Sequence, residues 1–398
     1  MNKNDISEID ILDGIRNDEF VFYYQPKVSM ISGKVCGAEA LIRWIKPDGR
    51  MIPPNAFIPI AERTSLINQI TLHMLPKLIK DQLVLMDLVG LTTSFNASAK
   101  DFEDDEFCNL LLSSLNKAKL PSHCIEIELT ETAALESSEK IKNRILPLRE
   151  AGVSLSMDDF GKGYSSIETL SLLPFNVIKL DQSIIERMLS SKKVLTIIES
   201  TIRMAHELGI DVVAEGVETI DQYNHLLECG CTKVQGYWVS KAIPIDEYIS
   251  FVEKNQRWSG VPIGLIHMAI IDHVQWRKQL VSELVGLANL PHDSPRRSHE
   301  LLTPLSCFEC KLGHWYYSFG KRFCNLSSYQ AIEEPHHKLH ELGDHLASLV
   351  KNGAGMPELT PHLRQLSESS LAVLSCLQEL ADDGLIDMHS AGSITHLN

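Results

Sequence analysis

Two adjacent carboxylates, Asp158 and Asp159, close the run VSLSMDDFGKGYSS (153–166), and Gly161 and Gly163 follow at once. Neighbouring acids repel unless a proton or a metal ion lies between them, and the glycines let the backbone turn tightly there. Polar residues recur at corresponding places along the chain: Gln25, Glu39, Asn96, Glu128, Lys179, Glu215 and Gln235 each stand towards the end of a strand-like run. Any one of them alone is more often a solvated loop residue or a satisfied hydrogen-bonding group; their recurrence in phase is what points to a site. The carboxylates of Glu39, Glu128, Asp158, Asp159 and Glu215, with the amide oxygen of Asn96, are hard ligands. They suit Mg²⁺ or Mn²⁺ better than zinc, which favours imidazole and thiolate. Two such ions about 3.5–4 Å apart, bridged by Asp158, would activate a water and neutralise the charge developing on a phosphodiester. Lys179 could then hold the attacking water by a charge-assisted hydrogen bond, with Glu215 coordinating a metal and orienting that water. Arg43, beyond Glu39, is placed to meet a phosphate oxygen.

These residues can meet only if the elements that carry them converge. Val153, Leu155 and Met157 alternate with Ser154 and Ser156, the two-residue period of a strand with unlike faces. Further strands are expected at Phe20–Val28, from Lys34 through EALIRW, at Leu91–Ser98, Cys124–Glu131 and Val177–Asp181, and in DVVAEGVE and KVQGYW, with helical patterns between them. Such alternation predicts an α/β fold with parallel strands and crossover helices. Eight units within about 250 residues fit a closed (β/α)₈ barrel, whose active site lies at the C-terminal strand ends.

Composition limits the alternatives. The chain has 398 residues, 44 % hydrophobic and 22 % charged, with a formal charge of −15. An acidic balance of this size argues against direct DNA binding or anionic lipid, so metal cations would have to mediate contact with a phosphate ester. Nine cysteines cannot all pair, and with no leader-like opening segment a reducing cytoplasm is expected. Val261–Ile271 is too short for a membrane span.

Taken together, YYQPKV, EALIR, FIPIAE, SFNASA, ELTE, DDFGKGYSS, VIKLD, AEGVE and QGYW resemble, in order and spacing, the EAL-domain phosphodiesterases of bacteria, over roughly residues 8–256. The resemblance implies hydrolysis of cyclic di-GMP to linear pGpG with two Mg²⁺ or Mn²⁺ ions. It implies Glu39, Asn96, Glu128, Asp158, Asp159 and Glu215 as metal ligands, Lys179 and Gln235 as further catalytic positions, and Gln25, Leu41 and Arg43 as substrate contacts. Glu131 would hold the DDFG loop in its active shape, near a homodimer interface. The departures are Lys162, Ile184 and Ala242, where the family more often has threonine, phenylalanine and proline; none removes a ligand.

A polar, turn-rich stretch at Lys254–Gly264 marks a boundary, giving domains over 1–257 and 262–390. The second part reads as a four-helix bundle. His336 and His340, at i and i+4, can share one metal from one helix face. The CFEC run at Cys307–Cys310 lacks the second CxxC pair of a zinc ribbon. DHVQW (272–276), CKLGHWYYSFG (310–320) and PHHKLH (335–340) together resemble the chemoreceptor zinc-binding domain, a four-helix zinc sensor. That resemblance implies zinc held by His273, Cys310, His336 and His340, with Cys307, His267 and His337 as bystanders. It also implies zinc regulation of the barrel. A chain that binds cyclic di-GMP without useful turnover, and acts as a receptor and zinc sensor, is the alternative.

Overall fold

Along the N-terminal strands, alternating apolar and polar residues give two faces that are both buried. In the computed structural model, which describes residues 6–86, 91–130, 139–161, 166–258, 263–291, 294–298, 301–324 and 326–391, Ile125, Ile127 and Leu129 are buried on one face of a strand whose other face buries Glu126 and Glu128. The apolar face is the one that crossover helices cover in a βα fold; the polar face lines the inside. The strands are β1 (Phe20–Ser29), β2 (Lys34–Ile45), β3 (Met51–Ile52), β4 (Thr92–Asn96), β5 (Ile125–Thr130), β6 (Ser154–Phe160), β7 (Val177–Leu180), β8 (Asp211–Ala214) and β9 (Lys233–Val234). They form one sheet in the order β1-β9-β8-β7-β6-β5-β4-β2-β3, and β1 also pairs with β2, which closes the barrel and leaves β3 as a short strand hairpinned onto β2.

The expectation of parallel strands throughout needs correcting at β1, which runs antiparallel to both β2 and β9. The reason is the connection. Only the turn at residues 30–33 joins β1 to β2, closed by a hydrogen bond from the Gly33 amide to Ser29 O at 2.8 Å. A parallel pair would need a crossover of a dozen or so residues. Gln25 therefore reaches its neighbours by register, opposite Glu39, rather than from a C-terminal strand end. The remaining barrel pairs, β2 with β4 and onward to β9, are parallel.

Outside this rim, Trp44, Phe20 and Phe57 pack with ring centroids 5.1–5.4 Å apart, joined by Ile11 of helix Glu8–Arg16 and by Ile67, Ile70 and Met74 of helix Leu66–Leu85. The Trp44 indole N–H donates to Glu19 Oε2 at 2.7 Å, so the buried ring leaves no donor unpaired.

The chain divides into two compact units, Met1–Gly260 and Val261–Asn398, and the second is all helical among its described residues. Helices Ile263–Ala288, Glu333–Lys351 and Met356–Ala391 pack on one another, and the short helices Lys311–Tyr317 and Ser327–Gln330 complete the unit. Among the described residues no helix is long and apolar enough to cross a membrane. Arg297, 3 % exposed, ties the helix ends together: its guanidinium donates to Ala288 O at 2.8 Å, Leu290 O at 2.7 Å and Ala354 O at 3.1 Å. Carbonyls at helix C-termini have no partner within the helix, and a buried cation supplies one. Replacing Arg297 with Met keeps the bulk but strands these acceptors. Arg297→Met should destabilise the helical unit by about 3 kcal/mol, read as a lower denaturation midpoint in urea.

Candidate metal centres in the barrel and the helical unit

β6 departs from regular pairing where the two aspartates stand. Its register against β7 shifts between Met157 and Phe160, the mark of a bulge, and Asp159 has φ +60°. Strict alternation would send adjacent side chains to opposite faces; the extra residue removes that requirement. Asp158 Oδ1 accepts from the Asp159 amide at 2.9 Å. Gly161 follows with φ +98°, and a Cβ there would lie 2.4 Å from Ile184 Cδ1, so this turn needs glycine on both counts. Residues 162–165, including Lys162, lie outside the described residues, as does Glu131.

The centre of the rim is Lys179, 1 % exposed. Its ammonium lies 2.6 Å from Glu128 Oε2, 2.7 Å from Glu215 Oε1, 3.3 Å from Asp158 Oδ1 and 3.6 Å from Glu39 Oε1. Burial by itself would lower the lysine pKa, but Glu128, Glu215, Glu39 and Asp158 outweigh it and hold the group well above its ordinary value. The acids differ among themselves. Burial and the neighbouring Glu128 push Glu39 up to about 7, and burial, offset only in part by Lys179, pushes Glu215 up to about 8. Asp158 is raised by the same cause. Glu128, although fully buried, is held below the usual carboxylate range because Lys179 and Lys27 together overcome its desolvation.

Register staggers these groups: Gln25 stands opposite Glu39 and Glu39 beside Ser94, Asn96 two residues on stands beside Glu128, and Thr130 two residues on again stands beside Asp158. Glu39 accepts from Asn96 Nδ2 at 2.8 Å and from Gln235 Nε2 at 2.5 Å, and Gln235 also donates to Gln25 Oε1 at 3.1 Å. Gln25 in turn donates to Ser240 O at 3.1 Å. Leu41 and Arg43 continue outward along the face of β2 that carries Glu39. Arg43 is half-buried, donates to Ile42 O at 2.9 Å, and lies 5.7 Å from the Tyr23 ring.

Three groups on this inner face went unremarked in the sequence: Lys27, Ser94 and Glu126, which meet beneath Glu128. Lys27 stands two residues beyond Gln25 in β1 and Glu126 two before Glu128 in β5, so a two-residue step from each predicted residue finds them. Tyr237, 62 % exposed, is a further rim residue, with the Lys241 ammonium 5.2 Å from its ring.

The donor chemistry fits a hard divalent cation. Among the described residues, carboxylate oxygens face the lysine, Gln235 Oε1 is buried without a hydrogen-bond partner, and the four carboxylates around Lys179, once ionised, outnumber its single charge.

The helical unit holds a second, softer set. Cys310 Sγ, His336 and His340 offer ligand atoms within 4.8 Å of one another, all buried. Cys310 caps helix Lys311–Tyr317, accepting from the Gly313 amide at 3.1 Å, and a side chain at 313 would collide with Cys307 O. His336 Nε2 lies 3.2 Å from Cys310 Sγ. His340 Nδ1 contacts Leu305 O at 2.7 Å, which makes that nitrogen the donor and leaves Nε2 with a free lone pair. His340 Nε2 and His336 Nδ1 are buried without partners. Burial pushes the imidazoles of His336 and His340 down to about 3 and 4, so both are neutral, as ligation requires. Orphaned imidazole nitrogens beside a thiol fit zinc. His273, equally buried, contacts Ser370 Oγ through Nε2 at 2.9 Å, and it lies near enough to His336 and His340 for each imidazole to disfavour a charge on its neighbour. Cys307 and His337 form their own contact at 3.5 Å, and His267 is exposed.

The chain belongs to the EAL domain family, which matches residues 9–242, and the chemoreceptor zinc-binding domain family matches residues 273–347. The signaling protein YkoW of Bacillus subtilis is 36 % identical over 246 residues, covering 62 % of this chain and 31 % of that protein. The cyclic di-GMP phosphodiesterase RocR of Pseudomonas aeruginosa is 31 % identical over 246 residues, 62 % of this chain and 63 % of that protein. The chain thus spans less than two thirds of the length of either relative. Among solved structures, the PaMucR phosphodiesterase in complex with c-di-GMP aligns with a TM-score of 0.57 at 30 % identity, covering 60 % of this chain and 98 % of that one.

Zinc-stripped protein should take up about one equivalent of zinc per chain in competition with a chromophoric chelator, and Cys310→Ala or His336→Ala should each weaken that uptake at least about tenfold.

Proposed function

We propose that the barrel hydrolyses cyclic di-GMP to linear pGpG and that zinc in the helical unit modulates the rate. The observation that carries the reading is the buried Lys179 ammonium among Glu39, Glu128, Asp158 and Glu215, four carboxylates gathered around one cation. The EAL family, and relatives named for cyclic di-GMP hydrolysis and binding, support the choice of substrate. Two Mg²⁺ or Mn²⁺ ions held by Glu39, Asn96, Glu128, Asp158, Asp159 and Glu215 would supply Lewis-acid activation of a water and neutralise charge on the phosphoryl group.

The chain's own residues do the rest. Arg43, with Leu41 two residues before it on β2 and Gln25 opposite Glu39 on β1, meets the nucleotide at the rim and fixes one phosphodiester over the centre. Lys179 donates to the attacking water and orients its lone pair towards phosphorus, while Glu215, 2.7 Å from the lysine, holds the same water from the other side. Attack breaks the P–O3′ bond, the water's proton passes to the departing 3′ oxygen through these groups, and the product keeps a 5′-phosphate. Gln235 and Asn96 keep Glu39 in place through their amide donors.

Purified protein incubated with cyclic di-GMP and Mg²⁺, with chromatography of the products, tests the reading directly: pGpG is the expected product, and bound but unconverted cyclic di-GMP would make the barrel a receptor instead. Glu39→Ala and Asp158→Ala should each leave no more than a few per cent of the rate, of the order expected when a ligand to a catalytic metal is lost. Lys179→Ala should lower kcat by about a hundredfold or more with KM changed only a few-fold, because the lysine acts on water and not on the nucleotide. For zinc, rates at fixed Mg²⁺ should differ between zinc-loaded and zinc-stripped protein, and the difference should vanish in Cys310→Ala. Equal zinc responses in the two proteins would remove the regulatory half of the reading.

A further inference from the structure

Barrel interiors of this class are ordinarily filled by bulky branched residues, and Lys27 breaks that rule. It lies in β1 opposite Gly37, below the level at which Gln25 meets Glu39, and is 4 % exposed. Its ammonium donates to Ser94 Oγ at 2.6 Å, to Glu126 Oε1 at 3.0 Å and to Glu128 Oε1 at 3.0 Å. Glu126 and Glu128 are neighbours on one face of β5, and Lys27 is the cation that contacts both. Glu128 is thereby divided between two lysines: Oε1 is held from within the barrel by Lys27, and Oε2 faces Lys179 at the rim.

A carboxylate's last torsion is broad and intrinsically two-fold, so a free Glu128 could swing either oxygen into the site or draw both away from it. With Oε1 bound to an ammonium that is itself tied to Ser94 on β4 and Glu126 on β5, that freedom is gone. We propose that Lys27 is a positioning residue: by clamping one oxygen of Glu128 it aims the other at the site where the barrel's metal is held. This rests on the reading of Glu128 as a ligand given above. The Lys27 ammonium meets Ser94, Glu126 and Glu128 and acts on the site through Glu128. Partners that orient metal ligands in this way typically change affinity by about 10–100-fold when removed.

The test uses the full chain with zinc already bound, so that the helical site is filled, and follows Mn²⁺ binding by the electron paramagnetic resonance signal of the free ion, beside cyclic di-GMP hydrolysis. Lys27→Met, which keeps the stem and loses the ammonium, should raise the Mn²⁺ Kd about tenfold or more and shift the Mn²⁺ dependence of the rate by the same factor, while KM for cyclic di-GMP at saturating Mn²⁺ stays within about twofold. A role in folding alone would lower the melting temperature and leave the Mn²⁺ Kd unmoved; that result overturns the proposal. Should Lys27→Met not fold, Ser94→Ala, which frees the ammonium on one side, should weaken Mn²⁺ about threefold, and an unchanged Kd overturns the proposal equally. The Mn²⁺ measurement stands whether or not the wild-type chain turns over cyclic di-GMP, so failure of the proposed activity and failure of the clamp give different results.

Discussion

Repulsion between buried carboxylates is the constraint on which the rest of this barrel depends. Glu39, Glu128, Asp158 and Glu215 converge on one point from β2, β5, β6 and the end of β8, and no chain would collect them there without an opposing charge. Lys179 supplies it at the rim, and Lys27 supplies it one level below, where Glu126 adds a further acid. Because an unpaired charge buried in this way is far more costly than a paired one, the two lysines are as much a condition of the fold as of the chemistry. The arrangement still leaves Glu39 and Glu215 raised to about 7 and 8 chiefly by their burial, so the rim is poised to gain from a cation.

Polarity inside the barrel follows from the same strands that make its wall. In β5 the apolar residues Ile125, Ile127 and Leu129 face away from Glu126 and Glu128, and all five are buried. Such alternation in an isolated strand suggests one wet face; here closure of the ring turns that face inward. The hydrophobic driving force therefore acts outside the strands, where the helices pack, and the inside is free to be built for hydrogen bonds and charge.

Much of this was legible in the residues, and the exceptions have physical causes. The two-residue period placed Glu128, Asp158, Lys179 and Glu215 on strand ends, and the rim gathers them. The direction of β1 was misjudged because helix-strand alternation was extended to the first pair, although the short MISG turn (30–33) leaves no room for a crossover. Lys27 and Glu126 were passed over because a charged residue inside a strand looks like its solvent face until the ring is known to close. The bulge at Asp158 and Asp159 was only half visible: the paired acids and glycines marked a turn, but the shift in register against Ile178 and Leu180 is a property of two strands together. In the helical unit, His336 and His340 followed from helical spacing, whereas the contact of His273 with Ser370 joins two helices distant in sequence and leaves no local trace.

The chain presents two donor sets of different hardness, and the metals that suit them compete. Zinc binds most N, O and S donor sets more tightly than magnesium or manganese does, so affinity alone would let it invade the carboxylate rim. Donor type and burial provide the separation. Cys310, His336 and His340 present sulfur and neutral imidazole nitrogen in a buried cluster, with the Leu305 carbonyl fixing the tautomer of His340. That set suits zinc and has nothing to offer a hard oxygen-seeking cation. The rim presents oxygen, with Asn96 exposed and Asp158 partly so. A zinc signal can be selective on such a chain only while the soft site fills at concentrations below those that poison the hard one. The contact of His340 Nδ1 with the Leu305 carbonyl and the capping bond to Cys310 would serve that condition, since both orient donors of the soft set within the fold itself.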